Sequence, residues 1–166
     1  AEARIKSRYE DMMSEDYSTL WEFWESWRGT KNHAWSGGPL VIMSKHFAGI
    51  TPLEAGYEKV KIEPQYTLSD SINCTVPSVK GLITLNYEKT SDDYIINLTL
   101  PQDMKAVLYV PDNAVVNINL PQGLNAVLYA PSDAVISINS ELYYQNGEYI
   151  NGVENADVEI IKEILK

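Results

Sequence analysis

Residues 18–38 hold the side chains best suited to chemistry. All four tryptophans (Trp21, Trp24, Trp27, Trp35) stand there, with two carboxylates three positions apart (Glu22, Glu25) and His33, one of two histidines. Glu22 lies between Trp21 and Phe23, with Trp24 beyond. A carboxylate among aromatic rings loses water, which favours its neutral form and raises its pKa. Such a group suits general acid or base work. Indole rings beside acids and an imidazole also suit sugars, whose C–H faces stack while their hydroxyls bond to polar groups. A plainer reading uses the same residues as a helix junction, with the tryptophans in a core and the glutamates solvated. On a helical turn Glu22 and Glu25 would share a face; in extended chain they would not. His33 could contact a substrate or cap the helix that follows, and spacing favours the cap. A metal role has less support, because His33 and His46 have no ligand motif between them. The single Cys74 excludes both a thiolate zinc site and an internal disulfide.

Two helical segments must position this stretch. Ile5, Tyr9, Met12 and Met13 approach the i, i+4, i+7 spacing of an amphipathic helix over residues 2–14, which the polar run Ser14 to Ser18 ends. The tryptophan stretch itself, with Gly29, Gly37 and Gly38, predicts a loop with a short helical turn. From His33 or Ser36 to Phe47 a second helix is expected. Its Leu40, Ile42, Met43 and Phe47 are nearly continuous, the pattern of a helix buried between other elements. Gly49 is placed as its left-handed stop. The first residues lack both a cap and an apolar signal core, so the chain reads as starting inside a helix, as a piece of a longer protein would. Two helices alone would leave much apolar surface bare, and they call for partners.

After Pro52 the period changes to two. Val60-Lys61-Ile62-Glu63 alternates; Ile83, Leu85 and Tyr87 oppose Leu82, Thr84, Asn86 and Glu88; Tyr94 to Leu100 is a third run. Pro64, Pro77, Pro101, Pro111, Pro121 and Pro131 punctuate these runs, which predicts many short strands in a β-sandwich or jelly-roll-like domain. Residues 97–116 (NLTLPQDMKAVLYVPDNAVV) recur at once as 117–136 (NINLPQGLNAVLYAPSDAVI). Each copy holds two strands, so the repeat reads as a duplicated hairpin extending the sheet; two copies are too few for a solenoid. Asn146-Gly147 between Leu142-Tyr143-Tyr144 and Tyr149-Ile150 signals a further hairpin. Val158, Ile160, Ile161, Ile164 and Leu165 fit a helix face or a closing strand equally well. Tyr87, Tyr94, Tyr109 and Tyr129 at strand positions favour packing over a lectin groove.

Bulk properties narrow the class. A chain of 166 residues, 45% hydrophobic and 22% charged, can bury a core of its own. A formal charge of −10 opposes binding to nucleic acid or to anionic membrane surfaces. No apolar run approaches the roughly 20 residues of a membrane helix. With one cysteine, the compartment stays open.

The ordered set STLWEFWES, NHAWSGG, a buried helix, FAGITPLEAGYEKVKIEPQ and TVPSVKG resembles bacterial α-L-rhamnosidases of glycoside hydrolase family 78. The similarity runs over about residues 15–111, ending in Ala106 to Pro111. It implies the terminal helices of a catalytic (α/α)6 barrel over 1–50. A C-terminal antiparallel β-sandwich would follow over 51–166, with the duplicated hairpin at 97–136. The chain as a whole is then mainly β with an α-helical lead-in. The resemblance also implies an inverting glycosidase that removes terminal L-rhamnose from glycosides or polysaccharides. Glu22 would be its general base, and Trp24, His33 and Trp35 would line the sugar pocket. The general acid would lie in upstream barrel segments, and neither cofactor nor metal is implied. The chain departs from the family at Phe23, Trp24 and Glu25, where an Arg and a Trp-Asp often follow the Trp-Glu, and in its second Ala-x-Val-Tyr-like copy. The expected partners are a rhamnose-containing glycoside and the rest of the barrel, with self-association through the uncovered helices; nucleic acid and membrane are not expected. The alternative is a non-catalytic carbohydrate-binding or structural β-sandwich module.

Overall fold

The computed structural model describes residues 2–13, 19–91, 93–112, 114–119, 126–131, 133–138, 141–150 and 158–162. Its contacts divide the chain into two units, Ala1–Met43 and Ser44–Lys166. In the first unit, helix α1 (Glu2–Tyr9) runs into a 3₁₀ turn, Glu10–Met12. Its one buried side chain, Met12, packs at Trp21, whose N–H donates to Met12 Sδ at 3.5 Å. The expected end of this helix at Ser14 to Ser18 lies outside the described residues. A 3₁₀ turn (Ala34–Gly37) opens helix α2 (Gly38–Ile42), with Pro39 in the first turn, where its missing N–H costs nothing. A π-helical turn, Met43–Phe47, follows. The helix expected from His33 or Ser36 to Phe47 is therefore three short helical pieces.

Among the described residues the second unit has twelve strands: β1 (Ile50–Pro52), β2 (Lys59–Ile62), β3 (Ser71–Ser78), β4 (Gly81–Lys89), β5 (Tyr94–Thr99), β6 (Lys105–Tyr109), β7 (Ala114–Asn119), β8 (Ala126–Ala130), β9 (Val135–Ile138), β10 (Glu141–Gln145), β11 (Glu148–Tyr149) and β12 (Val158–Lys162). They form a five-stranded sheet, β1-β2-β6-β8-β12, and a seven-stranded sheet, β11-β10-β9-β7-β5-β4-β3. One hydrophobic core joins them. Val60, Ile62 and Leu108 come from the first sheet; Ile83, Leu85, Ile96, Val116 and Ile136 come from the second. The inward residues of β4 are those that the alternation marks, Ile83, Leu85 and Tyr87.

The expected antiparallel sandwich is corrected here, because both sheets are mixed. β3-β4-β5 and β9-β10-β11 are antiparallel, whereas β5-β7-β9 and β2-β6-β8-β12 are parallel. The repeat causes this. A copy is not a hairpin but one strand in each sheet, so the chain returns to a sheet always running in the same direction. Register equals the repeat period: Asn97 pairs with Asn117, Val115 with Val135, and Ala106 with Ala126. Leu100, Met104 and Val110 are buried at the crossings between sheets. Apolar corners of that kind pull the chain over the core, where a tight hairpin turn would send it back beside its own strand.

Local signals mostly locate the turns. Asn146 and Gly147 have φ of 52° and 77°, and Gln145 pairs with Glu148 across them. Gly49 has φ 67° as a left-handed stop requires, and a Cβ there would lie 1.9 Å from Glu63 O. Pro131 directly follows a strand, and Pro64, Pro101 and Pro111 come one residue later after theirs. Pro77 does not; it lies inside β3, which a proline tolerates because β3 is an edge strand paired on one side only. Pro121 lies outside the described residues. The segment left open at the C-terminal end is strand β12, parallel to β8.

The tyrosines pack. Tyr87 is buried, stacks on Tyr94 with ring centroids 5.9 Å apart, and meets Tyr66 edge-on at 5.0 Å. Tyr66 Oη donates to Tyr109 O at 2.7 Å. Burial, with Tyr94 and Asp70 nearby, pushes the Tyr87 phenol up to about 12, and burial raises Tyr66 as well. These phenols are neutral packing groups at ordinary pH. The side chain of Tyr129 lies outside the described residues.

Candidate functional site

Backbone pairing builds the tryptophan stretch into a closed loop. Glu22 N–H donates to Thr30 O at 2.9 Å, and His33 N–H donates to Leu20 O at 2.8 Å. Thr19 Oγ1 donates to Lys31 O beside them. Residues 19–22 and 30–33 therefore run side by side, and 23–29 cross between them. Arg28 N–H reaches Glu25 O at 3.1 Å to form the turn, and Gly29 completes it at φ 65°. Any side chain at Gly29 would meet Phe23 Cδ2 at 2.5 Å and Glu22 Oε2 at 2.8 Å. This stretch consists of bends and a turn, so Glu22 and Glu25 do not share a helical face.

Trp21 anchors the loop from within, buried to 2% exposure, with Lys31 Nζ 3.8 Å from its ring centroid. The other tryptophans are exposed, Trp27 and Trp35 strongly so. The plainer reading of four core tryptophans thus holds for Trp21 alone. Arg28 lies over Phe23 with Cζ 4.1 Å from the ring centroid, a cation–π contact that shields one side of the loop.

Three of the four residues singled out in the sequence come together. Glu22 Oε2 accepts from Thr30 N–H at 3.0 Å and from Thr30 Oγ1 at 3.2 Å. His33 Nδ1 stands 3.2 Å from Thr30 Oγ1 and 3.8 Å from Glu22 Oε2. The imidazole lies 4.3 Å from the Trp35 ring, tilted by 43°, and Trp35 Nε1–H donates to Glu22 O at 3.1 Å. Trp24 is placed elsewhere in the loop, edge-on to Tyr9 at 5.0 Å and under Arg8. His33 does occupy the residue before the 3₁₀ turn Ala34–Gly37, but its side chain makes no capping bond. The cap favoured by spacing is thus corrected: the ring turns to Thr30 and Glu22, where a charged acceptor is available. Thr30 was not singled out. It carries no sequence signal of its own, since its role arises only when the loop closes.

The arrangement offers one partly exposed carboxylate with a neighbouring imidazole and a flat indole face. It can take a proton from a water or hold a polyhydroxy ligand. Among the described residues, no three His, Cys, Asp or Glu side chains form a cluster that could hold a metal ion. Burial pushes the half-buried Cys74 thiol up, which makes it a poor nucleophile. His46 lies in the second unit, lining an open cleft of about 440 Å³ with Lys45, Lys61 and Glu63. No helix among the described residues is long and apolar enough to cross a membrane.

Fold and loop together define a two-sheet β domain whose chain also carries an aromatic, carboxylate-bearing loop. Residues 49–125 match the model of the family described as "Bacterial alpha-L-rhamnosidase C-terminal domain". The resemblance drawn from the motifs is borne out over those residues, which run from Gly49 through β7. A solved GH78 family rhamnosidase of Bacillus sp. GL1 is similar over 83% of this chain at 20% identity, with a TM-score of 0.47. This chain spans 14% of that one. No curated protein matches the chain.

Proposed function

We propose that this chain is the C-terminal portion of an inverting glycoside hydrolase of the α-L-rhamnosidase type, with residues 1–50 as the end of its (α/α)6 barrel and 51–166 as the domain that follows. The observation carrying the reading is the family match beginning at Gly49, which in sequence follows the helical pieces over 34–47 and, before them, a loop in which Glu22, His33 and Trp35 converge. In this reading Glu22 is the general base. It takes a proton from a water that attacks the anomeric carbon, while a carboxylic acid from the rest of the barrel protonates the leaving oxygen. Inverting pairs stand roughly 6.5–9.5 Å apart to admit that water. His33 binds a sugar hydroxyl, and Trp35 offers a ring face to the sugar; Trp24, held against Tyr9 and Arg8, stands outside this group. The 166-residue chain alone holds the base without its partner acid and is inactive by itself.

The test is turnover of an aryl α-L-rhamnoside by the longer protein, wild type beside Glu22→Gln. We expect the wild type to turn over and the variant to lose about 10³-fold in kcat, within the range for a positioned general base. Equal activity would remove Glu22 from the chemistry. An inactive wild type would remove the substrate.

A second reading is a non-catalytic carbohydrate-binding or structural module. It is favoured by the match to a C-terminal domain and by the separate core of residues 44–166. Calorimetric titration with rhamnose or plant oligosaccharides separates the two: a module binds without residues 1–48, whereas the site above needs His33 and Trp35.

A further inference from the structure

We propose that Thr30 is a positioning residue, which aims the Glu22 carboxylate and sets the tautomer of His33. This rests on the reading of Glu22 as general base. Thr30 places two donors on one oxygen, its N–H at 3.0 Å and its hydroxyl at 3.2 Å from Glu22 Oε2. A carboxylate oxygen has two lone pairs, so Oε2 is fully used and Oε1 is left for a water. Glu22 N–H returns a bond to Thr30 O at 2.9 Å, so the two residues are tied at both backbone and side chain. Gly29 holds Thr30 in this place, because its φ of 65° brings the chain under Glu22 too closely for any side chain.

The Thr30 hydroxyl has one proton, and Glu22 takes it. Its contact with His33 Nδ1 at 3.2 Å must then run the other way, with Nδ1–H donating to Oγ1. The direct distance from Nδ1 to Glu22 Oε2, 3.8 Å, is too long for a hydrogen bond, so the hydroxyl is the link. In the neutral ring this leaves Nε2 as an acceptor, with its lone pair available to a ligand hydroxyl. A single threonine thereby orients the proton acceptor for water and the acceptor for the sugar. Neither role follows from packing alone.

Two measurements test this. In alkaline buffer, two-bond proton–nitrogen correlation spectra of the 166-residue chain report the tautomer of His33. We expect the Nδ1–H form in wild type and in Thr30→Ser, and a shift toward Nε2–H, the form free imidazole side chains prefer, in the near-isosteric Thr30→Val. A wild-type Nε2–H ring, or no change in Thr30→Val, would overturn the proposal. In the longer protein, Thr30→Val should lower kcat about tenfold, and Thr30→Ser should stay within about twofold of wild type. Full activity of Thr30→Val beside a dead Glu22→Gln would also overturn the proposal. An active Glu22→Gln would instead remove the general base, and the tautomer result would still decide whether Thr30 links the two side chains.

Discussion

At Gly49 the structure turns on one missing carbon. The backbone is left-handed, and a Cβ would overlap Glu63 O at 1.9 Å, where Glu63 N–H also bonds back to Gly49 O. Gly56 has nearly the same φ, 65°, with nothing near its absent Cβ. The pair separates backbone strain from collision. We expect Gly56→Ala to cost about 1 kcal/mol and Gly49→Ala at least about 3 kcal/mol, because strand β1 must then move off Glu63. Urea denaturation of both variants checks this, and equal losses would show that the Glu63 contact is absent. Gly49 was legible in the sequence because the left-handed stop after a helix is a local requirement. The direction of the His33 ring was not, because its partners Thr30 and Glu22 reach it only through loop closure.

The repeat behaves differently at the scale of elements than at the scale of residues. Each copy alternates as strands should, and that alternation was readable. Whether two successive strands pair with each other or with their copies depends on the crossing between them. Buried Leu100 and Met104 carry the chain from β5 to the other sheet, so β5 pairs with β7 and β6 with β8. Because register equals the repeat period, removing residues 117–136 joins equivalent points of the coil. The shortened chain should still unfold in one cooperative transition, with a smaller urea m-value in proportion to the surface lost. A hairpin arrangement would instead leave unpaired strands and a molten product, seen as loss of the near-ultraviolet circular dichroism. The Asn146-Gly147 turn shows the contrasting case, in which two adjacent positive-φ residues decide the pairing of β10 and β11 locally.

At the scale of the whole molecule, apolar side chains without cover set the solution behaviour. Leu40, Val41 and Met43 are each at least half exposed, and Trp27 and Trp35 more so, within the unit that ends at Met43. An apolar run of this size, left uncovered on a chain of net charge −10, is expected to drive self-association. Light scattering of the 166-residue chain should give a mass above the monomer that falls toward it in Leu40→Glu/Met43→Glu. A strictly monomeric wild type at high concentration would count against the patch as an interface. The sequence predicts this helix as buried on most sides; among the described residues Leu40, Val41, Ile42 and Met43 are instead exposed, because no element there packs over them.

Sequence by itself determined the alternation of the strands, the left-handed Gly49, the Asn-Gly hairpin, the repeat and a family resemblance over about residues 15–111, which the family model matches from Gly49 onward. All of these depend on residue type and short spacing. Only the tertiary structure decided that the repeat coils between two mixed sheets, that Pro77 sits inside an edge strand, and that Thr30 joins Glu22 to His33. Those outcomes depend on which distant segments meet. Hydrogen-bond partners and buried corners settle that choice over the whole chain, and no window of neighbouring residues contains them.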